Sequence, residues 1–159
     1  MGIHCTTPFA QFHFYEKVAK IVNEETIRAL AYLGEQSIVR IRDRSKEESW
    51  IDHTGNLRSS IGYAIYQHGK KQIASTFEVV LNGNDGAKEG QKYVDRLASQ
   101  YAQTYALVVV AGMSYAEYVE AIEGKDVLAS TELWARAKIE EYMIKAKKKA
   151  EKRINELLK

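Results

Sequence analysis

Trp50-Ile51-Asp52-His53-Thr54-Gly55-Asn56-Leu57-Arg58-Ser59-Ser60-Ile61 divides this chain into a long helical N-terminal part and a β-rich middle. The Thr54 hydroxyl is placed to accept an orphan backbone N–H at the start of a short helical turn through Asn56, Leu57 and Arg58. Gly55 lets the chain enter that turn tightly. Strand-like sequence begins at Ile61.

Upstream, residues 1–13 read as a poorly ordered lead-in, and 14–159 as one α+β domain. From Phe14 to Arg42 the pattern is helical, with Val18, Val22, Ala29 and Leu33 on one face. Ile27, Leu30, Ala31, Ile38 and Ile41 lie on a different, roughly opposite side. A helix that is apolar on two sides has two packing partners. The side containing Ile27, Ala31 and Ile38 is expected to be covered in part by the C-terminal helix, the cheaper partner, and for the remainder to be a subunit contact. Residues 43–49 form a charged connector.

Downstream, Gly62–Gln67 and Ile73–Leu81 read as a hairpin joined by a loop over 68–72. Asn82-Gly83-Asn84-Asp85-Gly86 is a turn cluster. Its acidic and amide residues are misplaced for a calcium loop, and it lacks the Lys-Ser/Thr ending of a phosphate loop. Val94, Leu97, Ala98, Tyr101, Ala102 and Tyr105 mark an amphipathic helix over 87–105. Ala106–Ala111 is β-branched and continuous, which predicts a central strand buried on both faces. Ser114 and Glu117 have capping-box spacing for a short helix over 115–122. Lys125–Leu128 reads as a brief edge strand. A last helix runs from Ser130, and its apolar stripe thins to alanines beyond Met143. The expected architecture is α+β. A small mixed, mainly antiparallel sheet, made of the hairpin plus the buried strand, packs with long N- and C-terminal helices and the helix at 87–105.

Composition narrows function by exclusion. The chain has 159 residues, a net charge of +2 and one cysteine. The near-balanced charge does not call for nucleic acid or a membrane surface as partner. One cysteine makes no internal disulfide and suits a reducing cytoplasm. No apolar run approaches the roughly 20 residues of a membrane span. Met1-Gly2-Ile3-His4-Cys5-Thr6 fits the loose lipidation pattern, and equally an ordinary start followed by a small residue.

Candidate chemistry is thin. His4, Cys5 and His13 lack a fourth metal ligand at useful spacing. Asp52, His53 and Ser49 hold the residue types of a hydrolytic triad without its nucleophile elbow. Glu123 and Lys125 have the Glu-x-Lys spacing of metal-dependent nucleases, but on a loop and not on a strand. Lys145, Lys147, Lys148, Lys149, Lys152 and Arg153 form a basic run suited to phosphate contact, and the alternative function is a bacterial nucleic-acid-associated protein using this C-terminal helix. Acidic residues interleave with it, as on a solvated helix face. No catalytic, cofactor or metal residue is assigned from these patterns.

Two stretches carry a family resemblance. Thr54-Gly55-Asn56-Leu57-Arg58-Ser59-Ser60-Ile61 resembles the TGNLR-x-S-I signature of the tail-completion, or head-to-tail joining, proteins of long-tailed phages. These are also called neck or minor tail proteins. Gly112-Met113-Ser114-Tyr115-Ala116-Glu117-Tyr118-Val119-Glu120 resembles that family's later YA-x-YVE segment. The element order matches from about residue 14. The resemblance implies a non-enzymatic structural protein of a phage or prophage. Its partners would be head–tail connector and tail proteins, and it would form a homo-oligomeric ring in the assembled particle. It would reside at the head–tail junction of the virion, or in the bacterial cytoplasm as a prophage product. It carries Thr54, Gly55, Asn56, Leu57, Arg58, Tyr115, Tyr118 and Glu120 as motif residues. The helix at 87–105 stands out as an insertion, and the family's Gly-Thr and proline after YVE are replaced by Ala121-Ile122-Glu123-Gly124.

Overall fold

The computed structural model describes residues 9–44, 50, 51, 53–121 and 125–159. Its elements in chain order are α1 (Phe9–Arg42), α2 (Asn56–Ser59), β1 (Ile61–Gln67), β2 (Lys70–Ala74), α3 (Asn84–Leu97), a 3-10 turn (Ala98–Tyr101), β3 (Tyr105–Ala111), α4 (Ala116–Ala121) and α5 (Ala129–Leu157). The fold is α+β, and its sheet is antiparallel throughout, in the order β2-β1-β3.

β1, and not β3, is the central strand, contrary to the reading of Ala106–Ala111. Ile61, Tyr63, Ala64, Ile65 and Tyr66 are each at most 2% exposed. Residues of alternate parity serve opposite layers. Ile61, Tyr63 and Ile65 join Leu30, Ile38 and Ile41 of α1 in one core. Ala64 and Tyr66 join Val94 and Leu97 of α3, with Val110, in the other. Small residues let the layers approach. A Cβ on Gly34 of α1 would lie 2.6 Å from the Tyr63 ring. Leu97 is buried and Tyr101 stacks on Tyr66 at 5.5 Å, so both pack on the sheet as the periodicity predicts.

The hairpin turn is shorter than expected. His68 and Gly69 have φ of 48° and 76°, the paired positive angles of a tight two-residue turn. Lys70, Lys71 and Gln72 therefore belong to β2, because polar residues suit an exposed edge strand. β2 stops at Ala74, and the strand predicted to reach Leu81 gives way to an extended segment with Val79 and Leu81 exposed. Phe77 packs instead over the glycines at 62 and 90. α3 ends before the predicted limit at Tyr105, which is the first residue of β3. Lys125–Leu128 is not a strand.

α1 begins at Phe9, so residues 9–13 belong to the helix and not to a lead-in; residues 1–8 lie outside the described part. α1 and α5 pack antiparallel. Arg40 sits over Trp134, Tyr32 meets Tyr142, and Glu25 pairs with Arg153. Ala146 and Ala150 are buried in this seam, where small side chains bring the helices close. Ile38 is 6% exposed within the chain's own core, and Ile27 and Ala31 pack against that core. The subunit contact expected at Ile27, Ala31 and Ile38 is thus an intrachain contact. The α1 face that remains exposed carries Val22, Tyr32 and Val39.

Candidate functional site: the turn at 54–60 and its partner segment

The residues from Thr54 to Ser60 each hold a neighbour, Gly55 and Ser59 sharing Val80. The Thr54 hydroxyl accepts the Asn56 N–H at 3.3 Å as a local turn bond, while Gly55, and not Thr54, occupies the N-cap position of α2 without a side-chain cap bond. Gly55 has φ +81°, and a Cβ there would fall 1.9 Å from the Val80 carbonyl oxygen. Only glycine meets both demands. The Asn56 side-chain oxygen accepts the Gly86 N–H at the start of α3. Leu57 is 1% exposed in the α1-side core. The Ser59 hydroxyl accepts the Val80 N–H at 2.8 Å, and that of Ser60 donates to the Leu57 carbonyl.

Arg58 turns back onto the chain. Its guanidinium donates to the carbonyl of Arg42, the last residue of α1, at 3.1 Å, and lies 5.1 Å from the Trp50 ring. A cation at a helix C-terminus and over an indole face is stabilised twice. The sequence showed a charged residue; its partners lie 16 and 8 residues upstream and were not legible.

The second stretch meets the first. The Gly112 N–H donates to the Ser60 carbonyl at 3.1 Å, and Ile61 pairs with Ala111. The two stretches therefore sit together at one end of the sheet. Ala116 and Val119 of α4 are buried in the same core as Leu57, while Tyr115 and Tyr118 are 39% and 55% exposed. Glu120 points back into the chain. One carboxylate oxygen accepts the N–H groups of Val127, Leu128 and Ala129 at 3.1, 2.9 and 2.8 Å. These are orphan donors at the start of α5, and an anion there also meets the positive end of the helix dipole.

Sequence reading missed Arg44. Its guanidinium, 6% exposed, pairs with Asp126 at 3.1 Å and donates to the carbonyls of Asp126 and Val127 and to the hydroxyls of Ser130 and Thr131. Glu120 and Arg44 together fasten the start of α5. Buried Glu25, which binds both Arg28 and Arg153, was missed likewise.

Apolar side chains emerge around the turn. Val79 and Leu81 flank the Val80 that Ser59 and Gly55 hold, and are 49% and 67% exposed. Leu81 has φ 52°, a left-handed conformation costly for leucine. Ile51, next to buried Trp50, is 78% exposed.

The remaining candidates are dispersed. His13 is exposed on α1 beside Glu16 at 3.1 Å; His4 and Cys5 lie outside the described residues. Ser49, Asp52 and Glu123 also lie outside them, so the triad and Glu-x-Lys readings rest there on His53 and Lys125 alone. Among the described residues, no three His, Cys, Asp or Glu side chains converge as metal ligands. In the basic run, Lys145 pairs with Glu141 and Arg153 with Glu24 and Glu25. Those ion pairs raise the Arg153 pKa and lower that of Glu24, the Arg153–Glu24 hydrogen bond being the largest cause of each shift. No described helix is long and apolar enough to cross a membrane.

No protein-family model matches this chain, nor does any curated protein or solved structure.

Proposed function

We propose that this chain is a structural protein of a phage or prophage that joins the head connector to the tail through protein–protein contacts, without chemistry of its own. The observation that carries the reading is the junction of the two resembling stretches. Separated by about fifty residues of sequence, they form one contiguous unit through the Ser60–Gly112 bond and the shared core around Leu57. A resemblance scattered over unrelated surfaces would mean little. Here it falls on the unit that organises α1, β1, α3 and β3.

In this reading most motif residues build the unit, and their exposed neighbours make the contacts. Val79, Leu81, Tyr115 and Tyr118 are the apolar and aromatic groups available beside it. A leucine held out at positive φ supports a contact role, because backbone strain persists where surrounding structure enforces it and tends to gather at binding sites.

The test uses the phage or prophage that encodes the chain, with its gene deleted. Electron microscopy should show filled heads beside free tails, and supplied wild-type chain should restore joined particles. The double variant V79K/L81N should fold, since asparagine tolerates the left-handed conformation, yet fail to restore them. Joined particles in the deletion would overturn the function. Restoration by the folded double variant would overturn the contact surface.

A further inference from the structure

The two edges of the sheet are built differently. The β2 edge presents Lys70, Lys71 and Gln72, all exposed, which discourages pairing with another strand. The β3 edge is Tyr105-Ala106-Leu107-Val108-Val109-Val110-Ala111, without charge or proline. Gly112 N–H bonds Ser60, and His68 N–H bonds Thr104, at the two ends of the β1–β3 register. Antiparallel alternation then turns the backbone groups of Ala106, Val108 and Val110 toward β1, and those of Leu107, Val109 and Ala111 outward. Among the described residues no further strand takes up that outer row.

The row is not bare. Two clefts, of about 840 and 630 Å³, flank it on opposite faces and share Tyr101, Val108, Val109 and Leu128. Tyr93 and Leu97 wall one; Ala135 and Ile139 of α5 wall the other. α1 lies across β1 and β3, and α5 packs beside α1. Helices pack about 8–10 Å apart and strands about 4.8 Å, so α5 lies roughly two strand spacings outboard of α1, over the position of a fourth strand. A second copy pairing through its own β3 about a two-fold axis would bring its α1 into the space α5 fills. A lone strand fits.

We propose that the outer edge of β3 binds one extended segment of a partner protein as the fourth strand of the sheet. Its main chain would bond Leu107, Val109 and Ala111, the β-augmentation mode of peptide recognition. Next to the strand the walls present Leu97, Tyr101, Leu128 and Ile139, with charged residues farther out, so the segment carries apolar side chains where it crosses them. The charged residues that line the clefts are Glu89, Arg96 and Glu117 on one side, and Arg136, ion-paired to Glu132, on the other. The groove stands independently of the phage reading.

The test selects binders to the full chain from a display library of short random peptides, then follows amide exchange with an enriched synthetic peptide. Enriched sequences should be extended and apolar, and the peptide should protect the amides of Leu107, Val109 and Ala111. Val109→Pro removes one outward donor at an edge position that tolerates proline. It should keep the far-UV spectrum and weaken binding by about tenfold or more, the scale of a lost backbone bond plus a ring clash. Failure to enrich peptides, or protection elsewhere, overturns the proposal. So does protection of the same three amides on concentrating the chain alone, which would make a second copy the occupant. If Val109→Pro does not fold, the protection pattern in the unaltered chain decides.

Discussion

Arg58 shows what a single residue contributes here. Its guanidinium caps the end of α1 and covers Trp50, so its loss is a stability defect before it is a binding defect. Arg58→Ala should lower unfolding free energy by about 2 kcal/mol, the sum of a charge-assisted bond and a cation–π contact. Urea denaturation measures this, and an unchanged midpoint would show the side chain to be free after all. Tyr66 gives a pH signature. Burial, with smaller contributions from the charges of Asp95 and Tyr101, raises its phenol from the usual 10 to about 12. The folded state then keeps a proton that the unfolded chain releases. Stability contributed this way is complete below pH 10 and is lost as pH rises toward about 12. Tyr66→Phe forgoes the bond to the Val94 carbonyl, so it should be less stable at neutral pH yet fall less steeply across the alkaline window. Denaturation midpoints measured across that window test the sign. Local chemistry at this scale was partly readable in advance: Gly55 as a tight entry followed from residue type, whereas the cap expected of Thr54 became a local turn bond to Asn56. The partners of Arg58, Arg44 and Glu120 did not, because long-range pairing leaves no periodic trace.

At the scale of elements, the helices and the three strands of the sheet were legible, and the order of the strands within it was not. Apolar spacing marks a helix face within a few turns, which is why Leu97 and Tyr101 were placed correctly. A strand's position in a sheet depends on residues far away. Val108-Val109-Val110 looked central by composition, but β1 holds the centre, where Gly62 and Ala64 leave room for Phe77 and α3 on one face while Ile61, Tyr63 and Ile65 meet α1 on the other. Lys70–Gln72 looked like a loop because an edge strand is polar for the same reason a loop is. The start of α5 depends on a side chain from another helix. Glu120→Ala removes an acceptor shared by three N–H groups and should cost about 1–3 kcal/mol. Faster amide exchange confined to Val127–Ala129 and the first turn of α5 is expected. Unchanged exchange there would mean that Arg44 alone fastens the helix.

At the scale of the molecule, the two long helices are one antiparallel unit rather than two separate docking surfaces. The two apolar sides of α1 predicted two partners, and both lie within the chain: the sheet and α5. Ile38→Lys should therefore abolish folding, since it buries an unpaired charge in a position 6% exposed. Loss of the cooperative transition by circular dichroism is the expected result, and a folded variant would reopen that face to assembly. In the proposed role, contacts with other proteins fall to the exposed groups around 79–81 and 115–118. The most direct measurement of the proposed role is an electron cryomicroscopy reconstruction of purified particles of the encoding phage. The account predicts density for the antiparallel α1–α5 pair between head connector and tail, with Val79 and Leu81 against a neighbouring subunit. A well-resolved junction built entirely from other chains would contradict it.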